Sequence, residues 1–395
     1  MKPDSVLLVT PRWTRDGGVA AHVKVSAAAL AAEGVHVSVL VARIESEEPS
    51  PGVTLLEVPE LFDVNATMKR RFGEATSPAP DIIHLHQVDD AEIVASLRSV
   101  APVLVSAHGY TACPSGVYYF GPGHECTRAH GPGCVPNLLM RGCAHTRYPK
   151  TLPRKYRDAR RGRAALADAD IAVSYSSSVD RHLAANGISH RRVVPYFPTM
   201  DAKPAAGHEA RRRVVFAGRI VRPKGVGVLI RAAREVDAEF VLCGDGRELD
   251  AMREHARRLE VHDRVRFTGW LGGAELAREL AEASVVVVPS LWPEPFGLVG
   301  IEAFAAGRPA VASATGGIGD WLEDGVSGLL VPPGDPGRLA EALQKILADP
   351  VLQSRMGAAG RAHVAARFTP GAHVAALLDC YRDAHGRWRA ERAAA

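Results

Sequence analysis

The chain has 395 residues, 47% hydrophobic and 23% charged, with a formal net charge of +4. That balance excludes disorder over most of the chain, and scattered Gly and Pro exclude a collagenous or low-complexity one. No apolar run reaches the roughly 18 residues a membrane span needs, and the weak charge points neither to a nucleic-acid binder nor to an acidic tail.

At roughly 100–200 residues per domain, two domains are expected, each with a core that needs no staples. The start (Met1, Lys2, Pro3, then Val6 to Val9) is too short and too soon polar for a secretory signal. The expectation is a soluble, cytoplasmic protein with free thiols or a metal site.

In chain order, Ser5–Thr10 reads as a buried strand, Gly17-Gly18 as a turn and Val19–Glu33 as a helix. Strands Val35–Ala42, Val53–Val58, Asp81–His86 and Pro102–Ala107 follow, with helical segments between most of them. Their Val, Ile and Leu run on without alternation, as in strands covered on both faces. From Tyr110 to Lys150 the rhythm fails, with six glycines, four cysteines and no clear period. Residues 196–211 read as a linker rich in Pro, Ala and charge. The pattern then restarts with strand Val214–Gly218, helix Val226–Glu235, strand Ala238–Cys243, helix Glu248–Leu259, strand Val265–Phe267, helix Gly273–Ala283 and strand Ser284–Pro289. Residues 371–395 have helical spacing and could pack on either domain. Alternating strands and helices imply parallel sheets. The fold class is therefore α/β, with two tandem doubly wound, Rossmann-like domains. The first spans 1–195, with a cysteine-rich insertion at 110–150, and the second spans 212–370.

Open α/β sheets bind ligands at the carboxyl ends of their strands. Gly17-Gly18 would let backbone approach a ligand at a helix N-terminus, although a plain turn explains it equally well. After Val214–Ala217 come Gly218-Arg219 and then Lys224-Gly225. Arg offers a fork and Lys a point charge to a diphosphate; taken singly, each reads as a solvated surface cation. Cys243-Gly244-Asp245-Gly246 is a tight turn, either beside a ligand or simply a turn. The sharpest feature is Pro289-Ser290-Leu291-Trp292-Pro293-Glu294-Pro295-Phe296-Gly297-Leu298. A rigid, proline-bounded loop presents Glu294, a helix opens near Gly297, and Glu302 falls in its second turn. The helix's free N–H groups suit phosphate or sugar oxygens, and carboxylates accept sugar hydroxyls. Thr315-Gly316-Gly317, after strand Pro309–Ala312, supplies another loop of exposed backbone.

Glu294 and Glu302 with seven residues between them, Gly218-Arg219 with Lys224-Gly225, Gly17-Gly18 and Thr315-Gly316-Gly317 together resemble family four of the retaining glycosyltransferases. That family has the GT-B fold, two Rossmann-like domains facing across a cleft, and the order matches over nearly the whole chain. The resemblance implies a UDP- or GDP-type sugar donor held mostly on the second domain, by Gly218, Gly244 and Asp245 among others. Arg219 and Lys224 would neutralise the diphosphate, and Glu302 would hold the ribose hydroxyls. Glu294, with the backbone of Phe296, Gly297 and Leu298, would hold the transferred sugar. Gly17 and Gly18 would close over the phosphates, Gly269 would contact the base, and His108 would lie near the donor sugar. His108, Glu294, Arg219 and Lys224 would then carry the chemistry, with no cofactor required. The acceptor does not follow from the resemblance. Competing readings are a sugar-nucleotide epimerase, a phosphorylase, or a non-catalytic sugar-nucleotide-binding protein.

Other features have readings of their own. His84 and His86 could face an acceptor, with a structural role preferred. Asp168-Ala169-Asp170 resembles a metal-binding acidic pair but should begin a strand at the wrong edge. Cys113, Cys126, Cys134 and Cys143 lie in one irregular stretch, where a structural zinc would substitute for a core. Unconnected thiols, disulfides, or a ligand set with His124, His130 or His145 are the alternatives. Cys243 and Cys380 read as ordinary buried thiols. Arg141–Arg163 holds nine Lys/Arg against one acid. It could meet anionic lipid at a membrane surface or an acidic acceptor, or simply be a solvated helix face.

Overall fold

A computed structural model describes residues 2–14, 17–45, 50–59, 78–88, 90–116, 119–121, 124–126, 128–140, 143, 151–201 and 212–394. The chain divides into two compact units. Unit one comprises Met1–Tyr118, Thr127–Tyr196 and Pro370–Ala395; unit two comprises Tyr119–Cys126 and Phe197–Thr369.

Unit one is built on seven parallel strands: β1 Ser5–Trp13, β2 His36–Ile44, β3 Val53–Glu57, β4 Ile82–His86, β5 Val103–Ala107, β8 Ile171–Ser174 and β9 Arg191–Val193. A short antiparallel hairpin, β6 Tyr119–Gly121 and β7 His124–Glu125, belongs to the irregular stretch. The sheet order is β3-β2-β1-β4-β5-β8-β9. Strands β4, β5 and β8 are buried along their whole length, their few polar residues included, as strands covered on both faces are. Helices α1 Gly18–Ala32, α2 Ala91–Arg98, α3 Cys134–Met140, α4 Leu152–Asp168 and α5 Ser177–Ala185 accompany them. Asp90 caps α2 by accepting from the Glu92 and Ile93 amides at 2.9 and 3.4 Å, satisfying orphan donors of the first turn.

Unit two has six parallel strands: β10 Arg213–Ala217, β11 Glu239–Cys243, β12 Val265–Gly269, β13 Val285–Val288, β14 Ala310–Ser313 and β15 Gly328–Val331. Their order is β12-β11-β10-β13-β14-β15. Its helices are α6 Val226–Ala232, α7 Leu249–Arg258, α8 Gly273–Ala281, α9 Leu298–Ala305, α10 Pro336–Leu347 and α11 Pro350–Arg367. Alternate strand residues face opposite layers. Val214, Phe216, Phe240 and Leu242 meet Leu339, Leu343 and Ile346 on one side. Val215, Val241 and Val286 meet Leu280 and Ala303 on the other. Both faces of the central strands are covered, which is why β10, β11, β13 and β14 run apolar without alternation, whereas the edge strand β12 alternates Val265, Arg266, Phe267, Thr268.

Helix α12, Pro370–Ala394, returns the chain to unit one. Its buried residues His373, Val374, Leu377, Cys380, Tyr381 and Ala384 recur every three or four positions, and it packs against α1. The open question of which domain the C-terminal helix joins is thereby answered. In each sheet the order reverses beside the first strand, between β1 and β4 in one and between β10 and β13 in the other. Those crevices, at the carboxyl edge, are where open α/β sheets take ligands.

Candidate functional site

In unit two the sequence-selected residues converge on the β10/β13 crevice. Gly218 and Arg219 follow β10, and the Gly218 amide donates to the Cys243 carbonyl at the end of β11, 2.9 Å away. Gly244 in turn donates to the Gly269 carbonyl at the end of β12, at 2.8 Å. A Cβ on Gly244 would stand 2.0 Å from the Gly218 carbonyl oxygen, so only glycine lets these strand ends close up. Asp245 is exposed, and its carboxylate accepts from the Gly246 amide at 2.6 Å. Arg219 is exposed and forms no ion pair among the described residues.

Lys224 ends a short 3₁₀ turn, Arg222–Lys224, and points at the loop after β13. Its Nζ donates to Glu294 Oε1 at 2.6 Å. Glu294 Oε2 accepts from Ser290 Oγ at 2.7 Å and from Trp292 Nε1 at 2.9 Å. Lys224 also lies 5.8 Å from the Trp292 ring centroid, within cation–π range. Burial pushes the Glu294 carboxyl upward, but Lys224 together with Ser290 and Trp292 holds it below the ordinary carboxylate range.

The loop's backbone is buttressed as well. The Gly317 amide donates to the Glu294 carbonyl at 2.7 Å, and Trp321 Nε1 donates to the Phe296 carbonyl at 2.7 Å. Thr315-Gly316-Gly317 therefore does not simply expose backbone; it spends one amide on holding Glu294. Gly297 has φ 92° and caps α9, turning the chain so that Leu298 opens the helix. Glu302, in the second turn of α9, is 5% exposed and has no counter-charge among the described residues. Thr199 Oγ1 donates to its Oε1 at 2.7 Å, and burial leaves the carboxyl above its ordinary range. Ser290, Trp292 and Thr199 were not singled out from the sequence. The first two sit four and two residues before Glu294, and that proximity was the one available signal.

In unit one, Gly17 (φ 102°) and Gly18 are exposed at the start of α1, at the carboxyl edge of the sheet. His108 follows β5 at the same edge. Both its ring nitrogens are engaged: Nδ1 with Tyr196 Oη at 2.9 Å and Nε2 with His86 Nδ1 at 3.0 Å. It also stacks on Tyr175, with ring centroids 4.8 Å apart. His84 bonds Tyr381 and Ser106, and His373 bonds Ser26 and the Pro195 carbonyl. The rings of His22 and His373 meet edge to face. Burial lowers all five histidines, His84 and His108 to about 3 and His373 to about 4, so all are neutral near pH 7. His84 and His86 are wholly buried, which fits the structural role preferred for them. A ligand would reach a ring nitrogen of His108 only by displacing one of these partners.

Asp170 lies at the amino edge of β8, fully buried, in an ion pair with Arg98 at 2.6 Å and accepting from the Val103 amide at 2.8 Å. It is spent on structure, as the sequence suggested. Cys113, in the loop after β5, hydrogen-bonds Ser115 at 3.1 Å, and Cys134 opens α3. No disulfide joins any of the six cysteines. Among the described residues, which include Cys113, Cys126, Cys134 and Cys143, no three His, Cys, Asp or Glu are grouped to hold a metal ion. His145, and residues 141–142 and 144–150 of the basic run, lie outside the described residues. The remainder of that run forms α4, where Lys155 and Arg161 line a groove of about 380 Å³ with Thr111, Cys113 and Ser115. No helix among the described residues is long and apolar enough to cross a membrane.

Residues 201–363 match the family model for glycosyl transferases group 1. The chain is 34% identical to D-inositol 3-phosphate glycosyltransferase 1 of Catenulispora acidiphila over 248 residues, covering 56% of this chain and 59% of that one. It spans between 36% and 59% of the length of the first three curated relatives it matches. Over nearly the full chain it resembles sucrose-phosphate synthase of Thermosynechococcus elongatus, with a TM-score of 0.74, 24% identity and coverage of 96% of this chain and 98% of that one. It likewise resembles HepE of Anabaena, solved with UDP and glucose, with a TM-score of 0.70, 18% identity and coverage of 95% and 99%. These likenesses show the fold, which is GT-B.

Proposed function

We propose that the chain is a retaining glycosyltransferase that moves a sugar from a UDP- or GDP-type nucleotide sugar to an acceptor hydroxyl. The observation that carries this reading is the cluster of Arg219, Lys224, Glu294 and Glu302 at the carboxyl edge of the β10/β13 crevice. The family match over 201–363 and the relatives' names support it.

The chemistry asks for cations where negative charge grows. The bond from the anomeric carbon to the diphosphate breaks, and its electron pair stays on the diphosphate. The acceptor oxygen attacks from the same face, and its proton passes to the departing diphosphate. Arg219, Lys224 and the first amides of α9 suit that charge. Lys224 must be shared, because Glu294 already holds it. Glu294 suits the transferred sugar and Glu302 the ribose, since carboxylates accept hydroxyl hydrogen bonds.

The reading calls on no metal: Arg219, Lys224 and the first amides of α9 take up the charge of the departing diphosphate. Transfer is therefore expected to persist after brief exposure to a chelator. Prompt loss of activity, restored by magnesium or manganese, would refute that.

The test is mass spectrometry of products from a panel of UDP- and GDP-sugars with candidate acceptor alcohols. A sugar-linked acceptor plus free nucleoside diphosphate is expected. Donor isomerised without acceptor would indicate an epimerase, a phosphate-dependent product a phosphorylase, and an unreacted donor that still binds a non-catalytic protein.

A further inference from the structure

Thr199 stands in the segment that enters unit two, thirteen residues before Arg212. Its hydroxyl donates to Glu302 Oε1 at 2.7 Å, and its backbone N–H bonds the same carboxylate. Glu302 is buried in α9, and among the described residues no charged group acts on it; Thr199 supplies the hydrogen bonds that favour its ionised form. Burial works the other way, toward the protonated acid. The distinction matters for a diol. Two ribose hydroxyls need acceptors, whereas a protonated carboxyl turns one oxygen into a donor. An ionised carboxylate has about four acceptor sites, so Thr199 on one side still leaves room for a diol on the other.

We propose that Thr199 is a positioning residue for nucleotide recognition, clamping the Glu302 carboxylate from one side and leaving the other for the two hydroxyls of a ribose. This rests on the reading of Glu302 as the ribose ligand. A threonine that merely anchored the chain would treat nucleotides with and without ribose hydroxyls alike, and that difference makes the idea testable.

UDP and GDP are titrated calorimetrically against the full chain, and the tighter binder is compared with its 2′,3′-dideoxy counterpart. The proteins are wild type, Thr199→Val, Thr199→Ser and Glu302→Gln, each checked by thermal unfolding. Wild type should prefer the ribonucleotide by about ten-fold or more, the worth of a hydrogen bond to a charged group. Thr199→Val should lose most of that preference by weakening the ribonucleotide alone, and Thr199→Ser should keep it. If Thr199→Val does not fold, Thr199→Ala carries the same comparison. A valine or alanine variant that keeps the wild-type preference, or weakens both nucleotides equally, overturns the inference. If wild type binds neither nucleotide, or Glu302→Gln leaves the preference intact, the ribose reading of Glu302 itself fails and the role of Thr199 falls with it.

Discussion

Arg219 and Lys224 are two cations at one edge, yet their surroundings differ. Arg219 is exposed, whereas Lys224 is the counter-charge of a buried carboxylate. Arg219→Ala should therefore weaken nucleotide-sugar binding by about 1.5–3 kcal/mol and leave thermal unfolding unchanged. Lys224→Ala should weaken binding and also destabilise unit two by about 2 kcal/mol, because it strands Glu294 without its partner. Titration beside a melting curve separates the two, and equal melting temperatures for both variants would argue against the ion pair as a structural element. The carboxylates should divide their work in the same way. Glu294→Gln should bind nucleoside diphosphate nearly as wild type yet transfer at least about ten-fold more slowly, a loss of about 1.4 kcal/mol. Glu302→Gln should lose diphosphate affinity as well. If the two variants cannot be told apart by diphosphate titration and single-turnover rates, the assignment of sugar to one and ribose to the other is wrong.

At the scale of elements, the loop after β13 is held from behind by the turn after β14. Gly316 has φ 63°, and a Cβ there would lie 2.3 Å from the Glu294 carbonyl oxygen. Gly316→Ala should cost about 1–3 kcal/mol through overpacking, in addition to the left-handed backbone strain. The shift falls on the backbone that carries Glu294, so transfer should fall further than stability alone explains. Rates measured well below the melting temperature test this, and a normal rate there would mean the turn does not position the carboxylate.

For the whole molecule, the two units differ in what acid does to them. Unit one buries His22, His84, His86 and His373 and half-buries His108, all in the neutral form, whereas the unfolded chain protonates them near pH 6.5. A depressed histidine costs nothing above pH 6.5. Stability is lost as pH falls from there toward the folded values, about 3 for His84 and His108 and about 4 for His373. Each contributes on the order of 1–2 kcal/mol of loss by pH 5. Unit one should therefore melt at a markedly lower temperature at pH 5 than at pH 7.5, while unit two changes less. Calorimetry, with the transitions assigned by protease mapping, checks this, and equal shifts of both transitions would count against it.

The α/β class and the two tandem domains were legible in the chain itself, because a strand covered on both faces must be apolar throughout and a helix between strands must be amphipathic. That Gly218, Arg219, Gly244, Glu294 and Glu302 share one edge was legible as well, since parallel strands bring all their carboxyl ends together; Gly269 came only from the family resemblance. What the chain could not reveal is which groups satisfy those residues. Ser290 and Trp292 on Glu294, Thr199 on Glu302, and Tyr196 on His108 are contacts made across tens of residues, or through a side-chain direction that no local pattern encodes. The C-terminal helix likewise had no assignable partner until its buried face met α1. Local periodicity reports what is covered; only tertiary structure decides what covers it, and so which charges at the crevice are already paired before any ligand arrives.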